Sequence, residues 1–395
     1  MDETPAPIGA RRAVIVLGIT QTIGYGCSSY LPASLADSMA GGVGASSSMV
    51  FGCVSAAMFL QAFIAPRFGR AVDSRGCRNL LSGASLLLAA GLVGLSFSQT
   101  LWQLALAWVV IGFGMASGLY DIAFAGLVGW FGAEARRSIT GVTLIAGFAS
   151  TIAWPLTAYL EHHLGWRGAC QVWAAINLII ALPLHLSLPR DRPHAVAHSE
   201  VTSAPEVELD AFARRQMILL ALALAVMAGV GSIMAAHLPR LLTAMGATAS
   251  AAIAAGMLVG PAQVIARFGE FLLVRHIHPL VSGRISIVMF PLGAAALLLA
   301  GPGAGAVFAI LYGAGNGLFT IVRGTLPLAL FGSKNYGGRL GTLNIPSRII
   351  GALAPVIFAV GLERSVSLSL SLLIALTLLA FGCMIALRRP AEAVA

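Results

Sequence analysis

The chain has 395 residues, of which 58% are hydrophobic and only 10% are charged, and its mean hydropathy is +0.89. Soluble globular domains carry about 25% charged residues, so this composition excludes a water-soluble protein of this size. Long uninterrupted apolar runs such as 217–234 and 366–387 exclude a β-barrel, whose strands alternate in segments of ~10 residues. The chain is therefore predicted to be an all-α polytopic membrane protein.

Apolar windows long enough for one crossing, ~20 residues each, recur along the whole chain. The first window follows Arg11 and Arg12 directly and lacks a small-residue cleavage site, so it is predicted to be a transmembrane helix and not a signal peptide. The twelve predicted spans are 12–34, 46–68, 79–98, 102–131, 138–160, 168–187, 216–238, 247–268, 282–300, 304–331, 337–360 and 366–387.

Basic residues are distributed by the side of the membrane. With both termini in the cytoplasm, most of them, Arg267 included, fall in inside segments, as the positive-inside rule requires. The exceptions are three outside, Arg167, Arg240 and Arg364, and two within spans, Arg323 and Arg348. Lys334 is the only lysine, a bias typical of a GC-rich bacterial genome. We therefore expect a multi-pass protein of a bacterial inner membrane, with no nucleic-acid partner for its net charge of +9.

The two halves of the chain repeat each other. A shift of 200 positions superposes Arg67-Phe68-Gly69 on Arg267-Phe268-Gly269 and Pro155 on Pro355. We predict an N-terminal six-helix bundle (1–188), a cytoplasmic linker (189–215) with a short surface helix at 208–215, and a C-terminal six-helix bundle (216–395). Such duplicated halves are typical of secondary transporters, which bind substrate near the membrane midplane.

The loop between the second and third predicted spans carries a distinctive motif. It reads Gly69-Arg70-Ala71-Val72-Asp73-Ser74-Arg75-Gly76-Cys77-Arg78. Its glycines allow a tight turn, its arginines favour the anionic cytoplasmic surface, and Asp73 can meet a helix N-terminus.

This loop resembles the Gly-x-x-x-Asp-Arg/Lys-x-Gly-Arg/Lys-Arg/Lys loop of the Major Facilitator Superfamily. Further segments similar to that family's pattern are Trp130-Phe131, Arg136-Arg137, Gly141 and Gly165-Trp166-Arg167. Ser74 and Cys77 replace the usual basic residues, and in the second copy Leu273 occupies the position of Asp73.

The resemblance implies two pseudo-symmetric six-helix bundles that alternate in access. It also implies that the loop residues Gly69, Asp73, Gly76 and Arg78 form a gating element, which latches the two halves in the outward-facing state. A basic loop that only sets the topology is the alternative.

Ionisable residues inside a membrane are costly, so a function is expected for each of them. Asp121 is the only carboxylate well inside a predicted span, Arg323 lies at nearly the same depth in the tenth span, and Arg348 lies near the middle of the eleventh. The family resemblance implies that spans one, four, seven and ten line a central cavity. We therefore expect Asp121 and Arg323 on facing walls.

A polar stripe follows the tenth span. Its members, at i, i+4, i+8 and i+11 on one helical face, are Tyr312, Asn316, Thr320 and Arg323. A weaker stripe on the first span comprises Gln21, Tyr25, Ser28 and Ser29. With the offset of 200, the stripe of the tenth span corresponds to a stripe through Tyr120 in the fourth span. Asp121 lies ~100° round from Tyr120, so a neighbouring helix is an alternative direction for Asp121.

Each buried ionisable residue has two readings. Arg323 is expected to bind an anionic substrate group through its planar fork, or to pair structurally with a carboxylate or with carbonyl groups. Asp121 is expected to couple protons, because burial favours a protonated carboxyl group, or to hold a cation or bridge helices. Arg348, four residues after Asn344 and close to Pro346, either lines the cavity or satisfies the carbonyl groups that this proline frees.

These features predict a secondary transporter that moves a small organic anion with protons, because two buried arginines face one buried acid. No Walker loop is present in the sequence, so we expect a proton gradient as the energy source. No metal-ligand spacing is present either, and we expect no cofactor. We expect a monomer in the lipid bilayer with a small-molecule substrate. The fifth span lacks the Gly-Pro-x-x-Gly-Gly run of drug antiporters, which makes efflux of drugs or toxic compounds the second choice. A membrane-embedded enzyme or sensor is a remote alternative, because no catalytic motif is found.

Overall fold

The computed structural model describes residues 8–189, 211–273 and 277–388, and for Ser150 and Leu273 it describes the backbone alone. Within these ranges the chain is helical and contains no strand. Most of the predicted linker 189–215, and the start of its predicted surface helix at 208, lie outside the described residues.

The chain forms two compact units. The first is bounded as Met1–Ala197 and Ser333–Thr342, and the second as His198–Gly332 and Leu343–Ala395. This division differs from the predicted bundles in one segment, because Ser333–Thr342 belongs with the N-terminal half.

The helices that begin in the N-terminal half are α1 (Ala10–Cys27), α2 (Leu31–Val43), α3 (Ser47–Arg75), α4 (Arg78–Phe97), α5 (Leu101–Gly118), α6 (Tyr120–Phe131), α7 (Ala135–Ala146), α8 (Ala149–Ile176) and α9 (Leu182–Leu186). A π-helical turn, Asn177–Ala181, joins the last two.

The remaining helices are α10 (Ala211–Ala244), α11 (Ala249–Met257), α12 (Val259–Leu273), α13 (Pro279–Ala300), α14 (Gly305–Phe331), α15 (Tyr336–Arg364) and α16 (Val366–Ala386). Helix α15 starts in the first unit and continues in the second.

Every predicted span falls on helix, but several spans are interrupted. The first breaks between α1 and α2, the fourth between α5 and α6, the fifth between α7 and α8, and the eighth between α11 and α12. Gly165, with φ +70°, separates the fifth and sixth spans inside α8, and it adopts this conformation readily because glycine has no Cβ.

The described residues contain nine helical stretches, counted across the short breaks, that are long and apolar enough to cross a membrane. Two of them, Leu101–Leu186 and Pro279–Phe331, have 86 and 53 residues, several times the ~20 residues that one crossing needs. The chain is therefore an all-α multi-pass membrane protein, and the division into twelve crossings stays a prediction.

Each unit has its own core of large side chains. In the first unit Trp108, Trp173 and Leu92 are buried members of one hydrophobic cluster. In the second, Phe290 and Phe308 are fully buried with ring centroids 5.7 Å apart. Since lipid chains are as apolar as these residues, close packing stabilises such cores more than the hydrophobic effect does.

Candidate functional site

The open face of α14 is polar. Between Tyr312 and Leu328, the partly exposed positions are Ala314, Asn316, Thr320 and Arg323, and every other position is buried. Three of the four predicted stripe residues thus lie among the partly exposed positions of this segment of α14. A face of this kind can hold water or a polar ligand, whereas a lipid-facing surface would be apolar.

Tyr312 is different from the other stripe residues. Its side chain is 5% exposed and packs against Phe290 and Phe308, with ring centroids 6.3 Å away from each. Its hydroxyl donates to the carbonyl oxygen of Gly231 on α10 at 3.4 Å. The predicted role of Tyr312 at the open face is therefore not what the structure shows, because its ring completes an aromatic cluster of the core.

Arg267 is a residue whose burial the sequence analysis did not predict. It was counted among the inside basic residues, and its side chain is 5% exposed. Its Nε donates to the carbonyl oxygen of Gly317 at 3.3 Å, near the middle of α14, and its Nη2 donates to Thr320 Oγ1 at 3.3 Å and to Gln263 Oε1 at 3.4 Å. The guanidinium group therefore lies directly behind the polar face of α14.

Glu270 is a second buried acid, in addition to the predicted Asp121. It is 6% exposed and accepts a hydrogen bond from Ser282 Oγ on α13 at 2.8 Å. The predicted eighth span ended at residue 268, whereas α12 continues to Leu273. The spacing of Gln263, Arg267 and Glu270 at i, i+4 and i+7 would have indicated one polar helical face.

The Thr320 hydroxyl makes two hydrogen bonds to neighbouring residues, one as acceptor and one as donor. Its oxygen accepts from Arg267, and its hydroxyl donates to the carbonyl oxygen of Asn316 at 3.0 Å. Asn316 itself lies beside Gly231, where an added Cβ would be 3.6 Å from Asn316 Oδ1.

In the first unit, the fourth span is broken next to Asp121. Helix α5 ends at Gly118, Leu119 is extended (φ −86°, ψ −172°), and α6 begins at Tyr120. The predicted continuous helix through Tyr120 is therefore wrong. Tyr120 and Asp121 are consecutive residues of α6, so the predicted angle of ~100° between them is unchanged. Asp121 lies in the first turn of α6 and is 6% exposed.

Gln21 satisfies the backbone at this break. Its Nε2 donates to the carbonyl oxygen of Gly118 at 2.7 Å, and the side chain is 1% exposed. Its Oε1 is buried and has no hydrogen-bond partner among the described residues. Gln21 therefore lies in the interior of the first unit and not on the open face that the sequence analysis predicted, because a carbonyl group freed inside a membrane needs a donor.

The other residues of the first-span stripe have mixed surroundings. Tyr25 is half-buried with its ring 4.7 Å from that of Tyr120, which in turn stacks on Phe124 at 5.0 Å. Ser28 is 1% exposed and donates to the carbonyl oxygen of Gly24 at 2.5 Å, whereas Ser29 is partly exposed. The accessible residues of this stripe are therefore Tyr25 and Ser29.

Arg348 is half-buried on α15 in the second unit, and Asn344 one turn earlier is 1% exposed. Pro346 between them removes a backbone donor from the helix. Both predicted readings of Arg348 therefore stay open.

The motif loop of the first unit meets the start of α15. Asp73 Oδ1 accepts from the backbone N–H of Gly337 and Asp73 Oδ2 from that of Gly338, both at 2.8 Å. These are donors of the first helical turn, where a carboxylate is stabilised. Gly76 ends α3 with φ +77°, and Arg78 opens α4 half-buried.

Glycine allows the close approach at this contact. A Cβ on Gly69 would overlap the carbonyl oxygen of Gly337, and a Cβ on Gly337 would lie 2.5 Å from the carbonyl oxygen of Gly69. The contact explains why Ser333–Thr342 belongs to the first unit. In the second copy of the loop, residues 274–276 lie outside the described ranges.

Metal chemistry finds no support in the part of the chain that the structure describes. No group of three or more His, Cys, Asp or Glu side chains there is arranged to hold a metal ion. The five cysteines, Cys27, Cys53, Cys77, Cys170 and Cys383, are all free thiols.

Comparison with known proteins identifies the family. The family model of the Major Facilitator Superfamily matches residues 14–355. The chain belongs to the Major Facilitator Superfamily. No curated protein sequence matches it significantly. Its superfamily members are transporters, so the remote alternative of a membrane-embedded enzyme is set aside.

Solved structures of the superfamily share this fold. The proton:xylose symporter XylE matches with a TM-score of 0.75 and 14% identity over 96% of each chain. FucP in the outward conformation, the E. coli fucose:proton symporter, matches with a TM-score of 0.77 and 14% identity, over 95% of this chain and 99% of that chain. The human organic anion transporter MFSD10 matches with a TM-score of 0.69 and 16% identity, over 95% of this chain and 100% of that chain.

Proposed function

We propose that this superfamily member is a proton-coupled secondary transporter of a small organic anion, working by alternating access. The observation that carries this proposal is the open face of α14, where Asn316, Thr320 and Arg323, together with Ala314, are the partly exposed positions of the otherwise buried stretch from Tyr312 to Leu328. Arg323 offers a planar, permanently charged set of donors that matches a carboxylate.

Arg267 strengthens the case for an anion. Its guanidinium contacts Thr320 at 3.3 Å, whereas Glu270, the buried acid of the same helix, accepts a hydrogen bond from Ser282 Oγ on α13 at 2.8 Å. The charged group of α12 in contact with this face is therefore positive, as Arg323 is. Charges in a medium of low dielectric act more strongly than in water. An anionic group on this face is therefore favoured over a neutral one.

Asp121 is proposed as the proton carrier. It is a carboxyl group at 6% exposure in the first turn after a helix break, and breaks of this kind surround coupling sites in other transporter folds. The fold neighbours include two proton symporters for sugars and an organic anion transporter, so the choice of an anion depends on the arginines of this chain and not on its neighbours.

The remaining proposals follow from the same function. The proton gradient supplies the energy without a cofactor, the protein acts as a monomer in a bacterial inner membrane, and both termini face the cytoplasm. The motif loop around Asp73 acts as the gating element, because it holds the start of α15 through two backbone donors.

The test begins with binding. Melting temperatures of the purified protein are measured with malate, succinate, lactate, propionate and citrate, and with the neutral sugars xylose and fucose, because a ligand of the folded state raises its melting point. We expect carboxylates to stabilise the wild type and to lose this effect in Arg323→Ala. The matched control is Arg240→Ala, which removes an exposed ion pair with Glu363 (3.0 Å) and should keep it. Stabilisation by the sugars alone would contradict the proposal.

Transport is then measured in proteoliposomes with the carboxylate that binds, using protein-free vesicles to subtract passive permeation. Asp121→Asn should lose uptake driven by a pH gradient but keep counterflow exchange, because the binding site stays while the proton carrier is removed. An unchanged response to the gradient would refute the role of Asp121. Drug resistance on overexpression, with no carboxylate bound, would instead favour the efflux pump.

A further inference from the structure

We propose that the transported anion is a hydroxy carboxylate, whose carboxylate binds Arg323 and whose hydroxyl donates a hydrogen bond to Thr320. This inference rests on the proposed function, since it assumes an anion on the open face of α14. It adds the chemical class of the substrate and the residue that reads its hydroxyl.

The argument starts from the hydrogen-bond capacity of Thr320. A threonine hydroxyl has one donor and two acceptor positions. An arginine N–H can only donate, so the contact of Arg267 Nη2 with Thr320 Oγ1 at 3.3 Å uses an acceptor position. The hydroxyl proton is directed to the carbonyl oxygen of Asn316 at 3.0 Å.

One acceptor position of Thr320 therefore remains, and no other described residue uses it. Thr320 is partly exposed, and we infer that a ligand reaches this lone pair from the open face. Because Arg267 fixes the direction of the hydroxyl, Thr320 cannot easily turn its proton towards a ligand. A ligand group beside Thr320 has to be a hydrogen-bond donor.

Arg323 imposes the opposite requirement one turn further along the helix. Its guanidinium has donors only, so the group beside it has to accept. Side chains at i and i+3 have Cβ atoms about 5–6 Å apart, a separation that a short organic acid spans. The two residues together select a molecule with an acceptor at one end and a donor close to it.

The charge of Arg267 decides between the possible donors. An ammonium group at Thr320 would lie close to this buried guanidinium, and like charges in a medium of low dielectric repel strongly. A hydroxyl group donates without that repulsion. The face therefore favours a hydroxy acid over an amino acid.

The experiment compares matched pairs of acids that differ by one hydroxyl: malate with succinate, and lactate with propionate. Dissociation constants are obtained by titrating the ligand-dependent melting temperature of the purified full-length protein. One net hydrogen bond corresponds to about tenfold in affinity. We expect at least one hydroxy acid to bind about tenfold more tightly than its partner.

The variants locate this preference. Thr320→Val and Thr320→Ala remove the acceptor and should bring the ratio to about one, whereas Thr320→Ser should keep it. The matched control is Thr325→Val on the same helix, which removes a similar bond to the carbonyl oxygen of Ile321 (3.1 Å) from a fully buried position and should leave the ratio unchanged.

The outcomes separate the two proposals. If carboxylates bind through Arg323 but the members of both pairs bind equally, or if the preference survives in both Thr320→Val and Thr320→Ala, the hydroxy acid is wrong and the anion transporter stands. If no acid in either pair binds and the sugars do, both proposals fail. Tighter binding of glycine or alanine than of lactate would likewise overturn the choice of a hydroxyl.

Discussion

The two units share one repeated sequence pattern, but corresponding helices differ in whether they are broken. In the first unit the first, fourth and fifth predicted spans are broken, whereas their counterparts α10, α14 and α15 run without a break. The eighth span is broken at Leu258, whereas its counterpart α3 is continuous. The repeat therefore does not fix where the helices of each half are interrupted.

A similar contact has different consequences in the two units. Gln21 donates to the carbonyl oxygen of Gly118 where α5 ends, and Arg267 donates to that of Gly317 inside the unbroken α14. In the first unit the Gln21 amide donates to a carbonyl group in the interior. In the second unit the Arg267 guanidinium also donates to Thr320 on the accessible polar face. We infer that the first unit uses its buried amide for structure and the second uses its buried guanidinium for substrate.

The largest effect is expected at the contact that attaches the start of α15 to the first unit. In Gly69→Ala the new methyl group would overlap the carbonyl oxygen of Gly337, so the two segments have to separate. We expect transport to fall by tenfold or more, as order of magnitude, with a lower melting temperature. Gly83→Ala is the control, because a Cβ there meets no atom within 4 Å and alanine is the better helix former by about 1 kcal/mol. Equal behaviour of the two variants would contradict the role of this contact.

A smaller but more selective effect is expected from Arg267→Lys. An ammonium group cannot replace the planar fork that bonds both Gly317 and Thr320, so transport should fall by about tenfold, or ~1.4 kcal/mol. Arg284→Lys is the matched control, since Arg284 bonds the carbonyl oxygens of Met384, Ile385 and Leu387 at the end of α16. It should lower the melting temperature and leave the rate per folded molecule within about twofold. Loss of stability alone in both variants would remove the proposed difference between the units.

The smallest effect on transport is expected from Gln21→Leu. The carbonyl group of Gly118 then loses its donor inside the membrane, at a cost of about 1–3 kcal/mol in the free energy of unfolding. Thermal unfolding measures this loss, with Gln171→Leu as the control at an exposed position of α8. A change in substrate affinity without a change in stability would show that the first unit, too, uses this amide for the ligand.

Much of the fold could be predicted because each span is a local property of the chain. Summed hydropathy over ~20 residues is enough to exceed the cost of burying a helical backbone, and every predicted span falls on helix. The spacing of Asn316, Thr320 and Arg323 also identified the partly exposed face of α14. That prediction worked because helical periodicity assigns neighbours on one face without knowledge of the other helices.

The candidate site was predicted less completely, and each difference has a partner on another helix. Arg267 was counted with the inside basic residues at the end of the eighth predicted span, but α14 supplies a carbonyl and a hydroxyl group as acceptors for it. Gln21 matched the pattern of a cavity-lining residue, but its amide donates to the carbonyl oxygen of Gly118, where the fourth span is broken.

The sequence alone determined that this is a helical membrane protein with a repeated pattern, a family motif in the loop after the second span and a polar stripe, because these depend on composition and spacing along one chain. Only the tertiary structure decided which polar groups stay accessible, since each buried donor goes to whichever acceptor the neighbouring helix offers. That assignment depends on distances between helices, and no pattern within a single helix contains them.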